Sequence, residues 1–424
     1  MNIDHNETAG ERLALLYQLS QTFNSSLDLD EVLNRVMDEV IAITHAERGF
    51  VMLTEPDGKL GFRVARGLDQ TTIEAPQFQV SRSVVERVSQ DGEPIVTSDA
   101  QTDERFNIRQ SVMFLGLRSI LCVPLSLKER VIGVIYVDNR MQAGIFGPAD
   151  LKLLSAIASS AAVAIENARL YQVAVEKGRL EKELDMARRV QVSLLPRQMP
   201  ELPGWEFCTR WKPARQVGGD YYDMIRTESG QLGLVIADVT DKGMPAALFM
   251  AFTRSIIRSN LDNTPFPATG ITRANRLICQ ESDNGLFVTM FYGLLNPNTG
   301  ELTYVNAGHN PPILVTASGP TPAYSTTWLT NTGMALGIQE DATYQQGSVQ
   351  LNPGDFIVMY TDGVTEAIDT GDELFGMERL QRVLLVNQDK PAAEIASALE
   401  SALDQFTSSL PPHDDITIVI TKRK

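Results

Sequence analysis

The stretch FVTMFYGLLNPNTGELTYVNAG, residues 287–308, decides the fold of the C-terminal half. Two apolar runs flank Asn296-Pro297-Asn298-Thr299-Gly300, whose Asn, Pro and Gly residues supply turn conformations, so the stretch predicts an antiparallel hairpin. Further along, DFIVMYTDG (355–363) and DDITIVITK (414–422) are short and almost continuously apolar, which implies strands buried on both faces. PAALFMAFTRSIIRSNL (245–261) and KPAAEIASALESALDQF (390–406) repeat apolar residues at helical spacing. Hairpins with helices between them predict a β-sandwich flanked by helices from about residue 197 to the end.

The N-terminal half reads differently. Leu13, Leu16, Leu19 and Phe23 mark one helix, and DEVLNRVMDEVIAIT (30–44) a second, with Asp28 or Asp30 as its cap. GFVMLTEPDGKLGFRVAR (49–66) is a hairpin turning at Pro56-Asp57-Gly58, and SILCVPLSLKERVIGVIYVDN (119–139) is another turning at Lys128-Glu129-Arg130. A helix starting near Pro148 closes the region. The order suits an α+β domain, a sheet with helices packed on one face. Residues 169–196 continue as helix until Pro196 stops it. Leu170, Val173, Leu180, Leu184, Ala187 and Leu194 form an apolar stripe, interrupted by Lys177 and Gln191 and weakened by Gly178. Such a stripe suits either a helix lying on a domain or a short parallel coiled coil joining two copies.

Composition narrows the function. The 424 residues carry a net charge of −16 and no Lys/Arg run, the opposite of a nucleic-acid binder. Three scattered cysteines, Cys122, Cys208 and Cys279, give no CxxC spacing and fit a reducing cytoplasm. With four histidines in all, a catalytic metal would have to lean on carboxylates. The polar start MNIDHNETAGERLA and the lack of a run of ~18 apolar residues lead us to expect neither signal peptide nor membrane span.

Asp stands where strands meet loops in four places: GGDYYD (Asp220, Asp223), LVIADVTDKG (Asp238, Asp241), VMYTDGVTE (Asp362) and PPHDDITIVI (Asp414, Asp415). Each alone is ordinary turn chemistry. Gathered at one edge of a sandwich, they would repel one another and raise each other's pKa unless cations lay among them. Oxygen donors select Mg²⁺ or Mn²⁺. Two such ions can acidify a water and clamp phosphate oxygens. Gly218-Gly219 would allow close backbone approach before Asp220, and Gly363 would let the loop after Asp362 turn away.

Two resemblances follow. AERGFVML, LRSILCVPL, VIGVIYVDNR and AIASSAAVAIENARLY together resemble a GAF domain over 12–168. PARQVGGDYYD, ADVTDKGMPAALFM, NAGHNPP, GDFIVMYTDGVTEA and DDIT, in this order, resemble the SpoIIE/RsbU branch of the PPM metal-dependent protein phosphatases over 185–424. LEKELDMARRVQVSLLP is similar to that branch's lead-in helix. The resemblance implies a GAF domain (12–168), a helical linker (169–196) and an α-β-β-α phosphatase sandwich (197–424). It implies that Asp220 and the Val239 carbonyl bind a second metal, that Asp238 bridges both ions, and that Asp362 and Asp414 hold the first. A bridging hydroxide would then attack a phosphoserine or phosphothreonine, typically on a STAS-fold anti-sigma-factor antagonist. That family usually has Gly at the position of Asp241.

Other residues are left with open roles. Arg215 is a candidate phosphate ligand, His309 a general acid or a loop histidine, and His413 a proton donor. A GAF domain can bind a small ligand or none. Cys122, on an apolar strand, argues against a covalent bilin, and His5 and His45 make a poor haem set. The expected protein is a cytoplasmic, homodimeric phosphatase gated through its linker. The alternatives are a silent scaffold and a hydrolase of small phosphate esters.

Overall fold

The computed structural model describes residues 9–67, 69, 72–73, 80–100, 116–261, 266–281, 285–318, 323–330, 332–408 and 410–424. His5 lies outside them. The chain divides into two compact units, Met1–Leu180 and Glu181–Lys424.

The first unit holds helices α1 (Ala9–Phe23) and α2 (Leu29–Thr44), strands β1 (Arg48–Thr54) and β2 (Leu60–Gly67), helix α3 (Arg82–Asp91), strands β3 (Ile95–Thr97), β4 (Ser119–Leu127) and β5 (Arg130–Asn139), and the first two thirds of α4 (Pro148–Leu194). Asp28, rather than Asp30, caps α2, accepting the Glu31 N–H at 2.9 Å. Both expected hairpins form, with Gly58 (φ 83°) and Lys128 (φ 54°) in left-handed conformations at the turns. The sheet runs β2-β1-β5-β4-β3, antiparallel throughout.

The expectation of helices on one face needs correction. Val51, Leu53, Leu121, Val123, Ile135 and Val137 pack under α2 and α4, while Phe50, Met52, Ile120, Cys122, Val134 and Tyr136 pack on the other side with Val84, Val85 and Val88 of α3. The strands are apolar at both parities, so both faces need cover. Among these strands Arg48 forms a buried ion pair with Asp138, its Nε 2.8 Å from Oδ1 and its Nη2 2.5 Å from Oδ2. His45 is the exposed, left-handed cap of α2, and Cys122 is fully buried, which pushes its thiol up.

Among the described residues α4 is long and apolar enough, by length and composition alone, to cross a membrane, a test that a packed core helix also passes. Its apolar residues Leu154, Ile157, Ala158, Ala161, Ala162 and Ile165 lie in the core of the first unit. Farther along, Leu170, Val173 and Leu180 are about half exposed.

The second unit is an α-β-β-α sandwich. One sheet runs β13 (Gly347–Gln350), β10 (Glu301–Ala307), β9 (Val288–Leu295), β8 (Leu232–Val239), β7 (Tyr221–Arg226). The other runs β12 (Ala323–Trp328), β11 (Ile313–Ser318), β14 (Phe356–Tyr360), β15 (Ile416–Arg423), β6 (Trp205–Lys212). Helices α5 (Met244–Leu261) and α6 (Pro267–Glu281) cover the first. The second is covered by α8 (Gly376–Val386) and α9 (Ala392–Phe406), and α7 (Asp362–Thr365) is a single turn after β14. Ile357, Met359 and Val419 face the opposite sheet, whereas Phe356, Val358, Tyr360, Ile418 and Ile420 face the helices, so both parities of β14 and β15 are buried. The 296–300 turn forms as expected: Asn296 Oδ1 accepts Asn298 N–H at 3.0 Å, and Gly300 has φ 83°. A Cβ on Gly300 would lie 2.3 Å from the Leu351 carbonyl.

Candidate active site

β7 begins where β8 ends, and β14 ends where β15 begins. Tyr221 pairs with Ala237, and Tyr360 with Ile418. These registers put Asp220 beside Asp238 on one sheet, and Asp362 and Asp414 beside each other on the other. The electrostatics follow from this placement. Burial pushes Asp220 well above the usual carboxylate range, with Asp238 and Asp415 adding to it. Burial, then Asp362 and Asp414, pushes Asp238 up to about 8. Burial, then Asp414 and Glu366, pushes Asp362 up to about 6. Like charges gathered this closely resist ionising together.

Several neighbours fix this geometry, and most were missed in the sequence. Thr361 Oγ1 donates to Asp220 Oδ2 at 2.8 Å, and Thr417 Oγ1 donates to the same oxygen. Asp415, buried, accepts Ala214 N–H through Oδ1 and Gly219 N–H through Oδ2, each at 2.7 Å, and so ties down the loop before Asp220. Only small residues fit there. A Cβ on Gly218 would lie 2.2 Å from Asp415 Oδ2, and one on Gly219 2.9 Å from the Val239 carbonyl oxygen, which therefore faces the Asp220 loop. Gly363 is needed for a similar reason, not to turn the chain away: its Cβ would lie 2.1 Å from the Asp415 carbonyl oxygen.

Gln191, read in sequence as a break in the linker stripe, is buried. Its Nε2 donates to Gly218 O at 2.6 Å, and its Oε1 accepts Gly218 N–H at 3.2 Å. The polar residue stands in the stripe because it grips the backbone two residues before Asp220. A lone Gln among Leu and Val was the available signal.

The remaining candidates separate. Asp223 is not at the edge. It is buried against α5, bound by Arg258 Nε at 2.7 Å and Nη2 at 2.8 Å, and accepts the Tyr221 hydroxyl at 2.6 Å. It anchors α5 to β7. Asp241 is exposed with φ 77°, a conformation Gly adopts freely and Asp tolerates. His309 is buried, bonded to Thr289 Oγ1 at 2.9 Å, and desolvation lowers it to about 3, which favours the neutral ring. His413 is exposed, and its carbonyl accepts Lys242 Nζ at 3.0 Å. Lys242 Nζ also pairs with Asp414 Oδ2 at 2.8 Å. Arg215 is exposed beside Gly243, in the loop that follows β8.

Among the described residues, no three His, Cys, Asp or Glu side chains close around a common point as a finished metal cage. The donor set itself fits hard divalent cations: all-oxygen, densely anionic and held on rigid strand ends. In the first unit a separate cavity of about 610 Å³ opens between β2 and α3, lined by Met52, Phe62, Arg82 and Glu86 among others.

Comparison with known proteins agrees with this architecture. Residues 26–166 match the GAF domain family, and residues 228–424 match the family described as stage II sporulation protein E (SpoIIE). The second match starts after Asp220, which the structure nevertheless places in the same unit. Protein IcfG of Synechocystis sp. is 30% identical over 276 residues, 59% of this chain and 43% of IcfG. The chain thus spans less than half of that relative. Phosphoserine phosphatase RsbU of Bacillus subtilis is 31% identical over 245 residues, 58% of this chain and 71% of RsbU. The SiaA-PP2C domain of Pseudomonas aeruginosa shares the fold, with a TM-score of 0.53 at 22% identity, covering 59% of this chain and 99% of that domain. With strand-end carboxylates, sandwich and sequence in agreement, the chain belongs to the SpoIIE/RsbU family of PP2C-type serine/threonine phosphatases, preceded by a GAF domain.

Proposed function

We propose that the second unit hydrolyses phosphoserine or phosphothreonine on a regulatory protein, using Mn²⁺ or Mg²⁺ held by Asp220, Asp238, the Val239 carbonyl, Asp362 and Asp414. The observation that carries this reading is the placement of Asp220, Asp238 and Asp362 at strand ends on one edge of the sandwich, each raised chiefly by burial and further by a neighbouring carboxylate. When bound, the ions supply an acidified water and neutralise phosphoryl charge. Asp238 has the central position, flanked by Asp220 on its own sheet and facing Asp362 and Asp414. Thr361 and Thr417 hold Asp220 in one orientation. Asp415 and Gln191 hold the loop that presents it.

Gln191 also supports regulation through the linker. It sits on α4, the helix that begins in the first unit, and its amide pair with Gly218 ties the end of that helix to the Asp220 loop. A shift of α4 would loosen the loop. Gln191→Leu is expected to lower phosphatase activity about 10–100-fold, the usual effect of removing a supporting partner behind a metal ligand. Unchanged steady-state hydrolysis would sink the coupling. The half-exposed Leu170, Val173 and Leu180 suit pairing with a second copy, so the homodimer remains our reading, to be checked by light scattering. The cavity between β2 and α3 suits a small ligand as the input.

The phosphoprotein reading takes its substrate class from the relative named a phosphoserine phosphatase. A STAS-type antagonist of an anti-sigma factor is the expected partner, in a cytoplasmic setting. Hydrolysis of an aryl phosphate with Mn²⁺, set against a phosphorylated STAS protein, tests both parts. Activity on neither would refute the enzyme. Activity on the aryl ester alone would refute the partner.

A pH effect follows as well. A carboxyl raised in the folded state stabilises the fold at low pH, and that contribution is lost as pH climbs through the folded value. For Asp362 and Asp238 those values are about 6 and about 8, against 3.8 for a free carboxyl. The metal-free chain is expected to unfold at lower temperature at pH 8 than at pH 5, and Mn²⁺ at pH 8 to restore the difference. Calorimetric melts with and without EDTA check it. A metal-free melt that rises over this range would contradict the gathering.

A further inference from the structure

We infer that Lys242 is the phosphate-binding cation of this centre, and that in the metal-free chain its ammonium serves as the counter-ion of Asp414. The inference rests on the phosphatase reading given above. Two observations support it. Lys242 Nζ lies 2.8 Å from Asp414 Oδ2, on a carboxylate proposed to hold an ion. It has a second, neutral anchor, the His413 carbonyl at 3.0 Å. That anchor keeps the ammonium at the rim once Asp414 is engaged elsewhere.

The backbone explains its placement. Lys242 stands between two left-handed residues, Asp241 (φ 77°) and Gly243 (φ 83°), and its N–H donates to Asp241 Oδ1 at 2.7 Å. This tight turn directly follows β8, which carries Asp238 and Val239. The Lys side chain is therefore delivered across the edge from one sheet to the other. It is partly exposed, so an incoming phosphoryl group can reach it.

A divalent ion and an ammonium cannot both hold the same Asp414 oxygen at full strength. Ion uptake would free Lys242 for the anionic oxygens of the substrate, where a charged hydrogen bond is strong.

The test uses the full chain with Lys242→Gln and Lys242→Arg. Mn²⁺ affinity is read by calorimetry. Inhibition by inorganic phosphate and the KM for an aryl phosphate are read by hydrolysis. Removing the competing ammonium should tighten Mn²⁺ binding severalfold in Lys242→Gln, while the phosphate inhibition constant and KM rise about tenfold, the scale of one charged hydrogen bond. Lys242→Arg should keep phosphate inhibition near the wild-type value. Unchanged phosphate inhibition in Lys242→Gln, or weaker Mn²⁺ binding, would overturn the inference while leaving the phosphatase standing. A wild-type chain that neither takes up Mn²⁺ nor hydrolyses the ester would remove both.

Discussion

Asp238→Asn is expected to lower Mn²⁺-dependent hydrolysis of an aryl phosphate by at least about a hundredfold. Supporting partners behind metal ligands are worth about 10–100-fold, and Asp238 is the carboxylate on which the others converge. The amide keeps the shape of the side chain but removes the charge that draws a cation. It also removes repulsion from Asp362 and Asp414. The metal-free variant should therefore melt no lower than wild type at pH 8. Lost activity with unimpaired folding separates a ligand from a structural residue. Activity within a few-fold of wild type would mean that the reaction does not pass through this edge.

Asp138→Ala is expected to destabilise the first unit by about 3–5 kcal/mol, the usual effect of stripping one partner from a buried ion pair. Asp138 is fully buried, and Arg48 nearly so, at 6% exposure. Burial raises Asp138, and the two contacts from Arg48 work against that rise. Without the carboxylate, the buried guanidinium beside Phe50 would lose the two contacts that offset its desolvation. Arg48→Met combined with Asp138→Leu should recover much of the loss, since no buried charge remains at the pair. Denaturant melts of the three variants would decide this. Equal destabilisation of the single and double variants would show that the pair contributes more than mutual neutralisation.

Much of this was legible in the sequence because it rests on local chemistry. The 296–300 turn and the first N-terminal hairpin follow from Gly, Asn and Pro placement, and the second from the polar Lys128-Glu129-Arg130 between two apolar runs. The continuously apolar strands 356–360 and 416–420 announced burial on both sides. The same signal at 50–53 and 120–123 was present, but the helix answering it, α3, is short and its three buried valines were not matched to the sheet. The four strand-end aspartates were also legible, since Asp where an apolar strand meets a loop is a local pattern, with Gly next to Asp220 and Asp362.

What escaped was pairing across long separations. Asp415 reaches Ala214 and Gly219, some two hundred positions away in the chain. Thr361 and Thr417 meet on Asp220 only because β14 and β15 are neighbours that end beside β7. Lys242 carries no mark in the sequence, and only the turn after β8 brings it to Asp414. Gln191 looked like a flaw in a stripe until its partner, a backbone amide, was in view. No periodicity reports contacts of this kind.

The most direct test of the carboxylate edge as a cation centre is a calorimetric titration of Mn²⁺ into the EDTA-stripped full chain at about pH 8, with Asp238→Asn titrated in parallel. We predict saturable uptake by the wild type, with proton release as the raised carboxyls ionise, and its loss or severe weakening in the variant. Identical uptake by both chains, or none by a folded wild type, would contradict the account.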